Sequence, residues 1–103
     1  MFEKCSGECL DKAVEILNAI SHPVRFQIIK ILSYGPVYNK ELVESFPNFD
    51  PSNITKHLNI LRNTKIIDAI KEGRNTKYQL RFKELPVVLM ALRSFIKDEY
   101  GLE

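Results

Sequence analysis

Glycine is scarce and scattered in this chain. Its four glycines stand at 7, 35, 73 and 101, each in turn, cap or terminal surroundings, so no Gly-rich loop can cradle a phosphate. H-E-x-x-H and G-x-S-x-G are missing, as is any clustered His/Asp/Glu set, and an enzyme is the poorest reading. No apolar run approaches the ~18–20 residues that span a bilayer, so no membrane segment is expected. The N-terminal run MFEKCSGECLDKAVEIL lacks a basic start followed by an apolar block, and no secretory signal is expected. Cysteine is limited to two residues, which fits a reducing interior and makes the cytoplasm the expected location. Repeats, low-complexity tracts and Gly/Ser linkers are absent, and 103 residues suffice for one compact domain rather than two.

What is present is an apolar supply large enough for a core, 45% hydrophobic against 27% charged, which argues against disorder. The net charge of +2 conceals an uneven distribution. Residues 1–51 carry 5 Lys/Arg and 7 Asp/Glu, residues 52–83 carry 8 and 2, and residues 84–103 carry 2 and 4. The positive charge therefore belongs to one segment, which points to a polyanionic partner for that segment.

Inside it lies DPSNITKHLNILRNTK, residues 50–65, with no acidic side chain after Asp50. Ile54, Leu58 and Leu61 recur at the spacing of one buried helical stripe. Opposite them stand Ser52, Thr55, Lys56, Asn59 and Asn63, all able to donate hydrogen bonds and none repelling a polyanion. Asp50 is suited to N-cap this helix, with Pro51 in its first turn.

Elsewhere, Leu10, Ala13, Val14, Leu17 and Ile20 predict a helix from Glu8 to about Ile20. Ser21 or His22 caps the next, which runs from Pro23 to about Tyr34 and buries Val24, Ile28, Ile31 and Leu32. Val37-Tyr38 is a short extended piece, and Asn39 caps a helix KELVESF built on Leu42, Val43 and Phe46. After Lys65 the period changes to 2. IIDAIK and TKYQLRF predict a two-stranded hairpin around EGRN, with Tyr78, Leu80 and Phe82 on one face and Lys77, Gln79 and Arg81 on the other. The last helix, about Pro86 to Tyr100, is apolar on several sides and needs a second surface to cover it.

The order of elements gives a mostly α domain with a β-hairpin wing, a winged helix-turn-helix. Three landmarks carry a family likeness: AISHPVRFQIIKIL (Ala19 to Leu32), S-x-x-x-K-H-L-x-x-L-R (Ser52 to Arg62) and E-G-R-x-x-x-Y-x-L (Glu72 to Leu80). Residues 13–82 closely resemble the ArsR/SmtB family of winged-helix repressors. The resemblance implies a homodimer joined through its first and last helices, and a helix from Pro51 that enters the major groove of a double-stranded DNA operator. Ser52, Asn53, Thr55, Lys56 and Asn59 would then meet base edges or flanking phosphates. Lys71, Arg74 and Lys77 of the wing would lie on phosphates or in the adjoining minor groove. The expected organisation is a single domain 1–103 with a flexible N-terminus 1–8, a helix-turn-helix 39–63, a wing 65–82 and a dimerisation helix 86–100.

The family is known for metal sensing, and here the sequence departs from it. Where arsenic-, cadmium- and lead-responsive members place Cys-x-Cys, this chain has Tyr38 and Lys40. Where zinc- and cobalt-responsive members place paired His and carboxylates, the final helix has no His, and Asp98 and Glu99 alone do not compose a tetrahedral site. No metal site of either kind and no cofactor is expected, and the inducer is unidentified. KCSGEC remains. Cys5 and Cys9 are one turn apart if helical, on the side of Ile16 and Ile20 near the expected dimer interface. With Ser6-Gly7 loose they can close a disulfide, or share a soft metal with the same pair of a second subunit. Uninvolved thiols, a thiol or redox switch, and a metal site all stay open. His57 reads as a packing or phosphate residue and His22 as a helix cap.

The resulting expectation is a sequence-specific DNA-binding repressor acting as a homodimer on a palindromic operator. The competing readings are a winged-helix protein-interaction module and a soft-metal sensor using Cys5 and Cys9.

Overall fold

In the computed structural model, which describes residues 3–103, capping side chains decide where the first helices begin. Ser6 is extended and its Oγ accepts the Cys9 N–H at 3.1 Å, starting α1 (Gly7–Ile20). His22 caps α2 (Pro23–Leu32), its Nδ1 accepting the Val24 N–H at 3.1 Å with Pro23 in the first turn. α2 stops two residues before Tyr34, because tighter i→i+3 bonds from Ser33, Tyr34 and Gly35 take over. Met1 and Phe2, part of the terminus expected to be flexible, lie outside the described residues.

β1 (Val37–Tyr38) leads into α3 (Asn39–Glu44). The cap here is Tyr38 rather than Asn39, since the Glu41 carboxylate reaches back to accept the Tyr38 N–H at 3.1 Å. Asp50 holds the N-cap position of α4 (Pro51–Asn63) with an extended backbone, yet its carboxylate makes no capping bond; only its carbonyl does, toward Asn53 and Ile54. α4 ends in a Schellman arrangement, with Ile66 N–H on Leu61 O and Lys65 N–H on Arg62 O, both at 3.0 Å. Lys65 takes the left-handed position at φ 64 where glycine is usual.

β2 (Ile67–Glu72) and β3 (Asn75–Leu80) pair antiparallel from Ile67↔Leu80 to Glu72↔Asn75, so the turn shrinks to Gly73-Arg74. Gly73 has φ 62 while Arg74 does not turn positive, the pattern of a type II′ turn. The sheet has a third strand beyond the expected two. β1 pairs with β3, Val37↔Tyr78 and Tyr38↔Lys77, giving the order β1-β3-β2. A two-residue strand carries no period of its own, and only its long-range partner reveals it. α5 (Leu85–Tyr100) closes the chain and ends on left-handed Gly101.

The core forms where α2, α3 and α4 meet the sheet: Ile28, Ile29, Leu42, Ile54, Leu58, Leu61, Ile66, Ile67 and Leu85 are essentially sealed from solvent. The apolar face of α1 is different. Only Ala19 and Ile20 of that helix are buried, whereas Leu10, Val14 and Leu17 face outward. α5 buries Leu85 alone among its residues and leaves Val87, Val88, Met90, Leu92 and Phe95 exposed. Among the described residues no helix is long and apolar enough to cross a membrane.

Candidate nucleic-acid interface

α4 is divided cleanly. Ile54, Leu58 and Leu61 are each 0% exposed, and their burial anchors the helix to the body. Ser52, Asn53, Thr55, Lys56 and Asn59 are all exposed, so the five expected reading residues share one accessible surface. Thr55 is not a free donor, however. Its Oγ1 donates back to the Pro51 carbonyl at 3.0 Å, leaving a lone pair and a methyl group for a ligand. His57 is half-buried on the flank of the stripe, packed on the His22 ring at 4.4 Å and bonded to Arg25. It is a packing residue here.

The wing stands beside α4 and carries its cations on two faces. Directly opposed residues of an antiparallel pair point to the same side. Lys71, opposite Thr76, therefore extends the face that sends Ile67, Ala69 and Tyr78 toward the core. Lys77, opposite Ile70, lies on the other face with Glu72 and Asp68. Lys71 and Arg74 are exposed and make no ion pair within 4.0 Å among the described residues. Lys77 is committed: its Nζ is 3.0 Å from Glu72 Oε1, and Glu72 Oε2 accepts the Tyr38 hydroxyl at 2.5 Å. The Tyr38 hydrogen bond, then the one from Lys77, holds the Glu72 carboxyl below its ordinary range. The same carboxylate raises the Tyr38 phenol and the Lys77 ammonium above theirs. Glu72 and Tyr38 are not among the site residues expected from sequence. The register that brings 72 and 77 to one face, and the pairing of Tyr38 with Lys77, are the signals that place them.

At the far end of α1, Cys5 and Cys9 are joined in a disulfide across the Ser6 cap, with Cα atoms 5.5 Å apart. Among the described residues no cysteine is free, and no group of three or more His, Cys, Asp or Glu is placed to hold a metal.

Comparison with known proteins agrees with this geometry. No family model matches the chain. It is 34% identical over 82 residues to an uncharacterised HTH-type transcriptional regulator of Methanocaldococcus jannaschii, covering 76% of this chain and 91% of that protein. It is 30% identical over 81 residues to the transcriptional repressor SdpR of Bacillus subtilis, covering 79% and 89%. Among solved structures, the homodimeric winged helix-turn-helix DNA-binding domain of a possible ArsR-family regulator from Mycobacterium bovis superposes with a TM-score of 0.72 at 21% identity, covering 90% of this chain and 84% of that one.

Proposed function

This chain belongs to the HTH-type transcriptional regulators, and from that premise we propose that it is a repressor of the ArsR type seated as a homodimer on a palindromic DNA operator. α4 enters the major groove, where Lys56 can donate to a guanine edge and Asn59 can pair bidentately with adenine. Ser52, Asn53 and Thr55 meet base edges or flanking phosphates, Thr55 as acceptor. Lys71 and Arg74 engage phosphates or the adjoining minor groove, and Lys77 joins them when it leaves Glu72. The observation that carries this reading is the division of α4, sealed on one side and free of acid on the other.

The dimer is proposed from the apolar surfaces of α1 and α5. Val87, Met90 and Phe95 are 67%, 66% and 56% exposed, which is a poor arrangement for a monomer in water. A second copy offers the same two helices around a two-fold axis. Its reading helices then address half-sites ~34 Å apart, one turn of DNA. A DNA partner fits a cytoplasmic location. Residues 39–63 act as the helix-turn-helix, 65–82 as the wing and 86–100 as the dimerisation helix of one domain. The protein-docking reading fares worse, since a protein contact needs a buried hydrophobic anchor and the outward side of α4 offers only half-exposed Ile60.

The Cys5–Cys9 disulfide favours a thiol-responsive form of this repressor. A dithiol reductant takes the bond to two thiols and becomes a disulfide itself; hydrogen peroxide removes the two electrons and two protons again, leaving water. A gel shift on the DNA upstream of the protein's own gene, with sizing of the free protein, tests the main reading. Salt-sensitive binding by a dimer is the expected result. A monomer, or a protein indifferent to duplex DNA in dilute buffer, overturns it.

A further inference from the structure

We propose that Arg25 is a positioning residue for sequence discrimination: it ties the end of α1, the start of α2 and the middle of α4 into one corner that fixes how α4 is rotated toward DNA. This rests on the DNA-reading assignment of α4 made above.

Arg25 Nε donates to the Ala19 carbonyl at 2.6 Å, and its Nη1 lies 3.1 Å from His57 Nδ1. The Ala19 carbonyl needs such a donor. Its normal helical partner four residues on is Pro23, which has no N–H. A guanidinium only donates, so His57 Nδ1 must accept and its ring proton sits on Nε2. The His57 ring rests on the His22 ring with centroids 4.4 Å apart, and His22 Nδ1 is itself held by the Val24 N–H. One planar fork thus joins three helices, a task that the single point of a lysine cannot share.

His57 stands between Lys56 and Leu58, within the reading surface's own turn of helix. A roll of α4 by about 10° moves a side-chain tip, at about 5–6 Å from the axis, by about 1 Å. That shift breaks base-edge hydrogen bonds, while long lysines on phosphates adapt to it. Loss of the corner therefore reduces discrimination between sequences more than it reduces general affinity for DNA.

The groups facing His57 are Arg25 from α2, His22 from the α1–α2 junction and Lys56 on α4 itself. None is a carboxylate. Partial burial first, and then these neighbours, lower the basicity of His57. A proton on Nδ1 turns the acceptor into a donor aimed at a guanidinium, so acid opens the corner.

The test uses the full chain and two duplexes: one enriched from a random library by the wild type, and a scrambled duplex of the same composition. Affinities are compared by fluorescence anisotropy at about pH 7.5 and in steps down to about pH 4.5, because His57 is less basic than an ordinary histidine and takes its proton below the usual range near 6.5. Arg25→Lys and His57→Leu should each lower the enriched-to-scrambled ratio about tenfold, the scale of one charge-assisted hydrogen bond, with scrambled binding unchanged. His57→Asn, whose Oδ1 replaces the accepting nitrogen and does not titrate, should keep the ratio. The wild-type ratio should fall in acid, and that of His57→Asn should fall less. If Arg25→Lys does not fold, the acid series of wild type against His57→Asn decides the matter. Folded variants that keep the wild-type ratio overturn the inference, as does His57→Asn failing as badly as His57→Leu. A wild type that enriches no duplex overturns the reading of α4 itself, and this inference with it.

Discussion

Glu72 holds Lys77 on the outer face of the wing, carboxylate to ammonium at 3.0 Å, while its second oxygen takes the Tyr38 hydroxyl. One of the three wing cations expected on DNA is therefore neutralised within the protein, and DNA must compete with Glu72 for it. Glu72→Gln should raise affinity for any duplex a few-fold and steepen the log–log salt slope by about 0.9, one additional phosphate neutralised. Anisotropy titrations over a salt series measure this. An unchanged slope means that Lys77 does not reach DNA.

The same network sets a pH signature for stability. Folding lowers the Glu72 carboxyl, so its contribution is present above the unfolded carboxyl range and is lost as pH falls through the depressed folded value. Folding raises Lys77 and Tyr38, so their share is present below their unfolded values and is lost as pH rises through the folded ones. The melting-temperature difference between wild type and Glu72→Gln should thus be flat near neutrality and shrink in both acid and alkali. Tyr38 and Glu72 are exposed and Lys77 is only partly covered, so the difference should be small. A difference that grows in acid contradicts the assignment.

The sequence exposes some of these features and hides others for physical reasons. The stripe Ile54, Leu58, Leu61 is periodic, so burial and its acid-free opposite face can be read directly from the order of residues. His22 as a cap and Gly73 in the turn are local chemistry, equally readable. The Tyr38–Glu72–Lys77 set is not, because it depends on the register of a two-residue strand against β3. Arg25 with His57 spans 32 positions and needs three helices to converge. The Cys-x-x-x-Cys spacing permits thiols, a disulfide or a shared metal alike, and only the backbone around Ser6 brings the two sulfurs together. Helix ends shift by a residue or two wherever i→i+3 bonds or a reaching carboxylate replace the expected cap.

Lys65 occupies the left-handed C′ position of α4 with φ 64. A side chain there costs about 1–2 kcal/mol, whereas glycine costs about 0.5–1 kcal/mol in unfolded-state entropy. Lys65→Gly should stabilise the fold by about 0.5–1 kcal/mol in urea or thermal unfolding. Destabilisation by a similar amount shows that the lysine makes a compensating contact.

The two parts of the proposed interface should fail differently. Thr55→Ala with Lys56→Ala should erase preference for the operator over other duplexes while leaving much of the salt-dependent binding. Lys71→Ala with Arg74→Ala should weaken all duplexes similarly and flatten the salt slope by about 1.8, two phosphates at about 0.9 each. Operator affinity that survives all four changes at moderate salt rules out this division between reading helix and wing.

The exposed apolar residues of α5 make the proposed dimer separable from the fold. Phe95 is 56% exposed, so Phe95→Glu should change the stability of the isolated subunit by no more than about 0.5 kcal/mol. In a two-fold interface the same change buries two unpaired charges. Light scattering should then report a monomer with helical content intact, and operator affinity should fall because two half-sites are no longer held together. A variant that remains dimeric moves the interface away from α5.

The disulfide bears on the same proposed interface from the other end of α1. It fastens Cys9, in the first turn, to Cys5 before the cap, and the exposed Leu10, Val14 and Leu17 follow on that helix. Reduction frees the first turn from this tie, leaving the Ser6 hydroxyl on the Cys9 N–H and the Ser6 carbonyl on the Leu10 N–H to hold its start. Wild-type protein treated with a dithiol reductant and with hydrogen peroxide should therefore differ in operator affinity by at least about threefold, a change of well under 1 kcal/mol in each subunit's contribution. Cys5→Ser/Cys9→Ser should show the reduced-state affinity under both treatments. Zinc or cadmium added to the reduced wild type separates metal sensing from redox sensing, since two thiolates are an incomplete set for either ion. Equal affinity in the oxidised, reduced and metal-treated protein and in the double variant leaves a repressor blind to thiol chemistry.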